Sequence, residues 1–227
     1  AFIPQEYWTL TANFTDGSQK FTAKYVGSGD EKTDITSAVQ AKALREKLVD
    51  QKFSITSVKT GERRKNPQPP FTTSNLQQEA VRKLSFTTKK TMQIAQMLYE
   101  GVDIEGEGTV GLISYIRTDS TRLSDEALTA ARDYISANFA PEYLPETPNI
   151  YKGRKNAQDA HEAIRPTHAL FSPEKVKASL TRDQYRLYKL IYDRYLASQM
   201  TPAVYDTLAV ELGSGEAQFR FGGMKKK

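Results

Sequence analysis

The stretch GLISYIRTDSTRLS, Gly111–Ser124, sets one tyrosine between an apolar run and a cluster of hydroxyls, a carboxylate and two guanidiniums. A phenol is a poor nucleophile near neutral pH because its ordinary pKa is about 10. Cations beside the oxygen, or a group that takes the proton as attack proceeds, lower that cost. Arg117 is the nearest cation to Tyr115 in sequence. Residues two apart on an extended strand face the same way, so the spacing predicts that Tyr115 and Arg117 reach one phosphate. Arginine suits that task because its fork can hold two non-bridging oxygens at once. The pattern points to attack of the Tyr115 oxygen on a phosphodiester, with Arg117 as clamp and stabiliser of the charge that develops. The competing reading is a strand with a buried aromatic, whose Arg117 and Asp119 are merely solvated at its exit. A Tyr-x-Arg alone does not choose between them.

His161 and Arg165 form a second candidate pair. Four residues apart, they share a face if the segment is helical. That face is either another phosphate grip or a surface histidine beside an ion-paired arginine, and the spacing by itself favours the second. Asp119 either orients Arg117 or caps the following turn. Tyrosine recombinases also combine Tyr, His and Arg, but their tyrosine lies C-terminal to an H-x-x-R element. Here Tyr115 precedes His161 and the spacing is H-x-x-x-R, which argues against that chemistry.

The full string YIRTDST closely resembles the active-site signature of type IA DNA topoisomerases, the bacterial topoisomerase I family. PFTTSNLQQEA (Pro70–Ala80), AQMLYEG (Ala95–Gly101), NAQDAHEAIRPT (Asn156–Thr167) and SQMTPAVYD (Ser198–Asp206) match the same family, in the family's order and over nearly the whole chain. The resemblance implies that Tyr115 cleaves one DNA strand and holds its 5′ phosphate. It implies that His161 and Arg165 line the DNA-binding and cleavage site, reversing the weight given by spacing, and that Gln96 and Glu100 lie near the tyrosine. It also implies single-stranded or underwound DNA as partner, action as a monomer, and a cytoplasmic, nucleoid-associated setting. Family members carry a Toprim domain that supplies a glutamate, a lysine and an acidic cluster for Mg2+. Nothing in this sequence resembles that domain, so Mg2+ is expected to bind outside these residues and the chain by itself is expected to be inactive. Two other readings remain: a single-strand binding module without chemistry, and a structural arm in which Tyr115 only packs.

The elements that must position these residues read as β at both ends and α between. Trp8, Leu10, Ala12 and Phe14 alternate with polar residues up to Asp16-Gly17, and Phe21, Ala23 and Tyr25 resume the pattern. Leu208, Val210 and Leu212 alternate before a Gly-Ser-Gly turn, with Phe219 and Phe221 beyond it. An isolated hairpin is marginal, so the two ribbons are expected to share one sheet, with the rest inserted. Thr36 opens a helix with Val39, Leu44 and Leu48 on one face, running to about Lys52. Phe53–Val58 reads as a short strand, and GERRKNPQPP (Gly61–Pro70) as a linker. Ser74 with Gln77 forms a capping box for a helix to about Leu84, and Thr88 caps the next, to Glu100. Val110–Ile116 is the strand that delivers Tyr115. Ser124 caps a helix to about Phe139, a short helix holds His161, Glu162 and Arg165, Ser172-Pro173 starts another, and Thr181 with Gln184 caps a long one. The tyrosines of that last helix, spaced by three and four, predict a packed face rather than a base-stacking surface.

The expected fold is therefore α+β. Residues 1–66 and 168–227 form a discontinuous β-containing arch, and residues 67–167 an inserted helical domain carrying Tyr115. The 227 residues are 38% hydrophobic without a bilayer-length apolar run. Cysteine is absent, which excludes disulfides, thiol catalysis and a zinc ribbon within the segment. A net charge of +5 favours a polyanionic partner only weakly.

Overall fold

The computed structural model describes residues 3–28, 31–151 and 161–227. From the N-terminus the chain forms β1 (Thr11–Asp16), β2 (Gln19–Ser28), the two-residue β3 (Glu31–Lys32), α1 (Ala38–Leu48) and β4 (Ser54–Lys65). There follow α2 (Thr73–Leu84), α3 (Thr88–Glu100), β5 (Val102–Ile104), β6 (Gly108–Val110) and α4 (Asp125–Asn138). Last come the single turn α5 (Pro173–Val176), α6 (Arg182–Ser198), β7 (Ala203–Ser214) and β8 (Ala217–Lys226). The mixed α and β content is that expected. No helix among the described residues is long and apolar enough to cross a membrane.

Contacts divide the chain into two compact units, Ala1–Lys65 with Ala203–Lys227, and Asn66–Pro202. In the first unit both terminal ribbons do enter one antiparallel sheet, in the order β1-β2-β8-β7-β4, with β3 on β2. Alternation puts Ala23, Val210, Leu212 and Phe219 on one face, where Leu48 of α1 and Phe53 cover them. Edge-to-face rings knit this core: Phe53 lies 5.3 Å from Phe219, and Phe14 5.2 Å from Phe53. Two expectations change here. Gly61–Lys65 is not a linker but the second half of β4, registered against Ala203–Thr207 of β7. Charged residues are the usual occupants of an edge strand, so composition alone mimics a loop. Helix α1 is capped by Ser37, whose Oγ accepts the Gln40 N–H, rather than by Thr36, and it stops at Leu48. It touches the core through its last turn only, which leaves Val39 exposed.

The second unit packs α2, α3, α4 and α6 around Leu76, Leu98, Ile135, Ile164, Leu187 and Ile191. The sequence boundary after Thr167 moves to Pro202, because Phe171, Val176 and all of α6 belong to this same core. The caps at Ser124 and Ser172 are as expected, and Thr181 with Gln184 closes a capping box. The caps of α2 and α3 are Thr72 and Thr87, one or two residues before the positions expected. Ser74 instead accepts from the Gln78 side chain within the helix. The tyrosines of α6 do form a packed face: Tyr188 and Tyr195 are fully buried, their hydroxyls donating to the Phe171 and Ala127 carbonyls at 2.6 Å.

Two corrections bear on the site. The strand expected over Val110–Ile116 ends at Val110, and beyond it pairing is confined to one bridge, Ile113 to Pro166. The helix expected around His161–Arg165 is absent. That segment is extended and bridges Ile164 to Phe71, with the Ala163 and Ile164 N–H groups given to the Arg122 and Phe71 carbonyls. Pro166 explains it: the residue before a proline is driven out of the helical region. Residues 156–160 of the NAQDAHEAIRPT motif lie outside the described residues.

Candidate functional site

Non-local hydrogen bonds, not a sheet, hold the Tyr115 segment. Upstream, the Leu112 N–H donates to the Leu98 carbonyl at the end of α3 (2.8 Å). Gly111 permits that approach, since a Cβ there would sit 2.7 Å from the Tyr99 carbonyl oxygen. Along the other edge, the Ser114 N–H donates to the Arg165 carbonyl (2.8 Å). The Ser114 hydroxyl donates to the Ala163 carbonyl (2.8 Å) and accepts the Arg165 N–H (3.0 Å). Downstream, the Thr73 hydroxyl donates to the Ile116 carbonyl at 2.7 Å, and the Thr73 N–H donates to the Thr118 carbonyl at 2.9 Å. The chain bends at Ile116 and Arg117 as a result, so Tyr115 and Arg117 are not neighbours on one strand face.

Tyr115 is 46% exposed. Its ring meets Tyr99 edge-on at 5.6 Å and His161 edge-on at 6.1 Å between centroids. Two aromatic walls thus fix the ring while the phenol keeps access to solvent, and among the described residues no hydrogen bond engages its oxygen. Beside it lies an open depression of about 530 Å³ lined by Thr72, Thr73, Ser74, Arg117, Thr118, Asp119 and His161. His161 joins the two features, touching the Tyr115 ring and lining the depression. The N-terminus of α2 opens onto the same space, adding the positive end of a 12-residue helix to the Arg117 guanidinium. Arg117 makes no ion pair among the described residues. A phosphate is the ligand such a setting favours, with Arg117 and the Ser74 N–H as donors, since the Thr73 and Asn75 N–H groups are already given to the Thr118 carbonyl and the Thr72 hydroxyl.

The other residues singled out in the sequence fall elsewhere. Asp119 lines the depression without bonding to Arg117, and the turn after it is closed by other groups. The Ser120 N–H donates to the Thr118 hydroxyl at 3.0 Å, and the Arg122 N–H to the Ser120 hydroxyl at 3.1 Å. Thr118 and Ser120 are buried, so these hydroxyls shape the loop. Arg165 turns away from Tyr115. Its Nε donates to Glu162 at 2.6 Å and its Nη1 to the Pro166 carbonyl at 2.9 Å, and it lines a different depression with His168 and Tyr195. Burial pushes the Glu162 carboxyl up, but the hydrogen bond and charge of Arg165, helped by the Ser124 hydrogen bond and the Arg122 charge, together hold that carboxyl below the ordinary range. Gln96 donates to Glu100 at 2.6 Å on α3, and no hydrogen bond joins either to Tyr115 among the described residues. Sequence reasoning missed Tyr99, Thr73 and Ser114. Thr73 and Ser114 act through partners 43 to 51 residues away, a link that no local pattern carries.

The chain belongs to the DNA topoisomerase family, whose model matches residues 1–227. Among solved structures, the chain is similar to full-length topoisomerase I from Thermotoga maritima. That match has a TM-score of 0.76 at 36% identity, and covers 99% of this chain and 35% of that one. The chain thus spans about a third of the length of the relative it matches.

Proposed function

We propose that these residues are the tyrosine-bearing and hinge portion of a type IA topoisomerase. The enzyme would relax underwound DNA by cutting one strand, passing the other and resealing, without ATP. The observation that carries this reading is the Tyr115 ring, set between Tyr99 and His161 with no hydrogen bond to its oxygen among the described residues, beside the depression that Arg117 lines. In the cutting step the phenol oxygen bonds to phosphorus as the bond from phosphorus to the 3′ oxygen breaks. The phenolic proton ends on the 3′ hydroxyl, and the 5′ phosphate stays on Tyr115. One ester replaces another, so reversal reseals the strand with no energy source. Arg117 would hold the non-bridging oxygens as their charge builds, and His161 would keep the ring aimed.

No three His, Asp or Glu side chains among the described residues are placed to hold a metal. By the family resemblance, Mg2+ would be held by an acidic cluster of the Toprim type outside these residues. The unit made of residues 1–65 and 203–227 takes the hinge role in this proposal, and the site of action is the cytoplasmic nucleoid. The chain by itself is expected to bind single-stranded DNA, more weakly as salt rises, without forming an efficient covalent adduct.

The test pairs Tyr115→Phe with the parent in the complete enzyme, trapping labelled single-stranded DNA by denaturation. The variant is expected to form no adduct and relax no supercoils while binding DNA within about twofold of the parent, because the nucleophile is lost and the grip is not. Relaxation that survives the substitution sinks the assignment.

A further inference from the structure

Resting on the cleavage reading above, we infer that Asn149 and Tyr151 are positioning residues for the rejoining step. They clamp both chain crossings that leave the second unit and tie them to the loop that follows Tyr115. The chain passes between the two units twice, at Lys65–Asn66 and at Pro202–Ala203. Lys65 and Ala203 are the last partners of the β4–β7 ladder, so the two crossings leave side by side. Within the second unit that ladder stops, and Pro67, Pro69, Pro70 and Pro202 remove backbone donors from the crossings.

The segment Glu142–Tyr151 supplies the missing partners. The Tyr151 hydroxyl sits between both crossings, 2.9 Å from the Ser198 carbonyl and 3.2 Å from the Pro67 carbonyl, either of which can accept its proton. The Asn149 side-chain amide donates to the Ser198 carbonyl at 3.0 Å and to the Met200 carbonyl at 2.8 Å. Its backbone exchanges bonds with the fully buried Gln199 side chain, donating at 3.2 Å and accepting at 3.0 Å. Thr201 closes the run, its N–H donating to the Tyr143 carbonyl (3.0 Å) and its hydroxyl to the Glu142 carbonyl (2.8 Å). Burial raises the Tyr151 phenol above its ordinary range against the Arg194 charge, which keeps it a donor. Capping of a helix end accounts for the bonds to Ser198, the last residue of α6. It does not account for those to Pro67, Met200 and Thr201, which lie outside the helix.

The same segment reaches the cleavage site. Asn149, Ile150 and Tyr151 face Thr121, Arg122 and Leu123 across a crevice of about 20 Å³, room for about one water. That loop follows Tyr115 by six to eight residues, and its Arg122 carbonyl accepts the Ala163 N–H, two residues after His161. Crossings, clamp and cleavage loop are one packed run within the second unit. After the cut, Tyr115 carries the 5′ phosphate and must come back to the 3′ hydroxyl. That hydroxyl attacks phosphorus, displaces the phenol oxygen and returns the proton to it. An offset of about 1 Å at such a step costs on the order of a hundredfold. Crossings clamped inside the unit leave the turning motion to residues outside it, so Tyr115 and its surroundings travel and return as one body.

The experiment compares the complete enzyme with its Tyr151→Phe and Asn149→Asp variants, each close in shape to the parent and each lacking the bridging donors. Three quantities are read well below the melting midpoint of every protein. They are trapped adduct on labelled single-stranded DNA, transfer of the held strand to an oligonucleotide with a free 3′ hydroxyl, and relaxation of supercoils. Adduct is expected at the parent level or above, because Tyr115, Arg117 and His161 are intact. Transfer and relaxation are expected to fall by about fivefold or more in both variants, part of the loss that a full misplacement would bring. Tyr151→Phe keeps the ring in place and decides alone if Asn149→Asp does not fold. A merely structural role would lower all three quantities together, and that result overturns the proposal. So does transfer at the parent rate in the variants. Either result leaves the cleavage reading standing, whereas a parent that forms no adduct overturns that reading and this inference with it.

Discussion

Tyr115 and the tyrosines of α6 carry the same phenol and put it to opposite use. Tyr188 and Tyr195 are sealed in the core of the second unit, each hydroxyl committed to a backbone carbonyl. Burial pushes both phenols above their ordinary range, Tyr195 to about 12, with the Arg165 charge opposing it there. Such a group donates one hydrogen bond and stays protonated. Tyr115 meets two rings edge-on and is 46% exposed, with no hydrogen bond to its oxygen among the described residues, beside a depression lined by Arg117 and Asp119. On the proposed reading, the phenol that reacts is the one whose ring is constrained and whose oxygen has no hydrogen bond among the described residues, and tyrosine content alone marks nothing.

The support behind Tyr115 is the first place to strain that contrast. Gly111→Ala would put a methyl 2.7 Å from the Tyr99 carbonyl, a backbone atom that no rotamer change can move. The expected cost is about 1–3 kcal/mol of stability in urea unfolding, at the upper end because backbone must shift. Adduct formation in the complete enzyme should fall with it, because Tyr99 is one of the two walls against the Tyr115 ring. Unchanged melting together with unchanged cleavage would show that the end of α3 does not position Tyr115.

Tyr188→Phe tests the opposite use. The ring still fills the core, but the Phe171 carbonyl loses its 2.6 Å donor in a buried setting. The expected loss is about 1–2 kcal/mol, with single-strand binding unaltered. The same change at Tyr115 should leave the melting midpoint unmoved, because its hydroxyl makes no hydrogen bond among the described residues. If Tyr115→Phe destabilises as much as Tyr188→Phe, the Tyr115 hydroxyl has a structural partner and the contrast fails.

Local patterns revealed what is local. Ser124, Ser172 and the Thr181–Gln184 box start helices where the sequence says, and alternation around two Gly-containing turns is enough to unite the terminal ribbons. The errors share a physical origin in long-range pairing. Gly61–Lys65 has loop composition and becomes a strand because β7 supplies partners 138 to 146 positions later. His161–Arg165 has helical spacing and becomes extended because Pro166 forbids the helix and Phe71 accepts the freed N–H. The site was legible in its residue types, Tyr115, Arg117 and His161. It was illegible in its geometry, because Thr73 and Ser114 set the bend that separates Tyr115 from Arg117 and turns Arg165 away.

Arg165 offers the finest test of that geometry. Its guanidinium is held by Glu162 at 2.6 Å, with both side chains largely covered. The carboxyl titrates below its ordinary value near 4.5: burial raises it, and Arg165, Ser124 and Arg122 together more than compensate. A carboxyl lowered on folding stabilises the protein at pH values above its unfolded pKa. That contribution disappears as pH falls through the lower, folded value. Glu162→Gln should therefore cost on the order of 1 kcal/mol at pH 7, discounted for the partial exposure of the pair. The difference from the parent should shrink as pH drops below about 4.5, the region where the unfolded carboxyl begins to take up its proton. Urea melts of both proteins at a series of pH values measure it. A gap that stays constant down to acid pH would mean that Glu162 holds Arg165 by shape and hydrogen bonding rather than by charge.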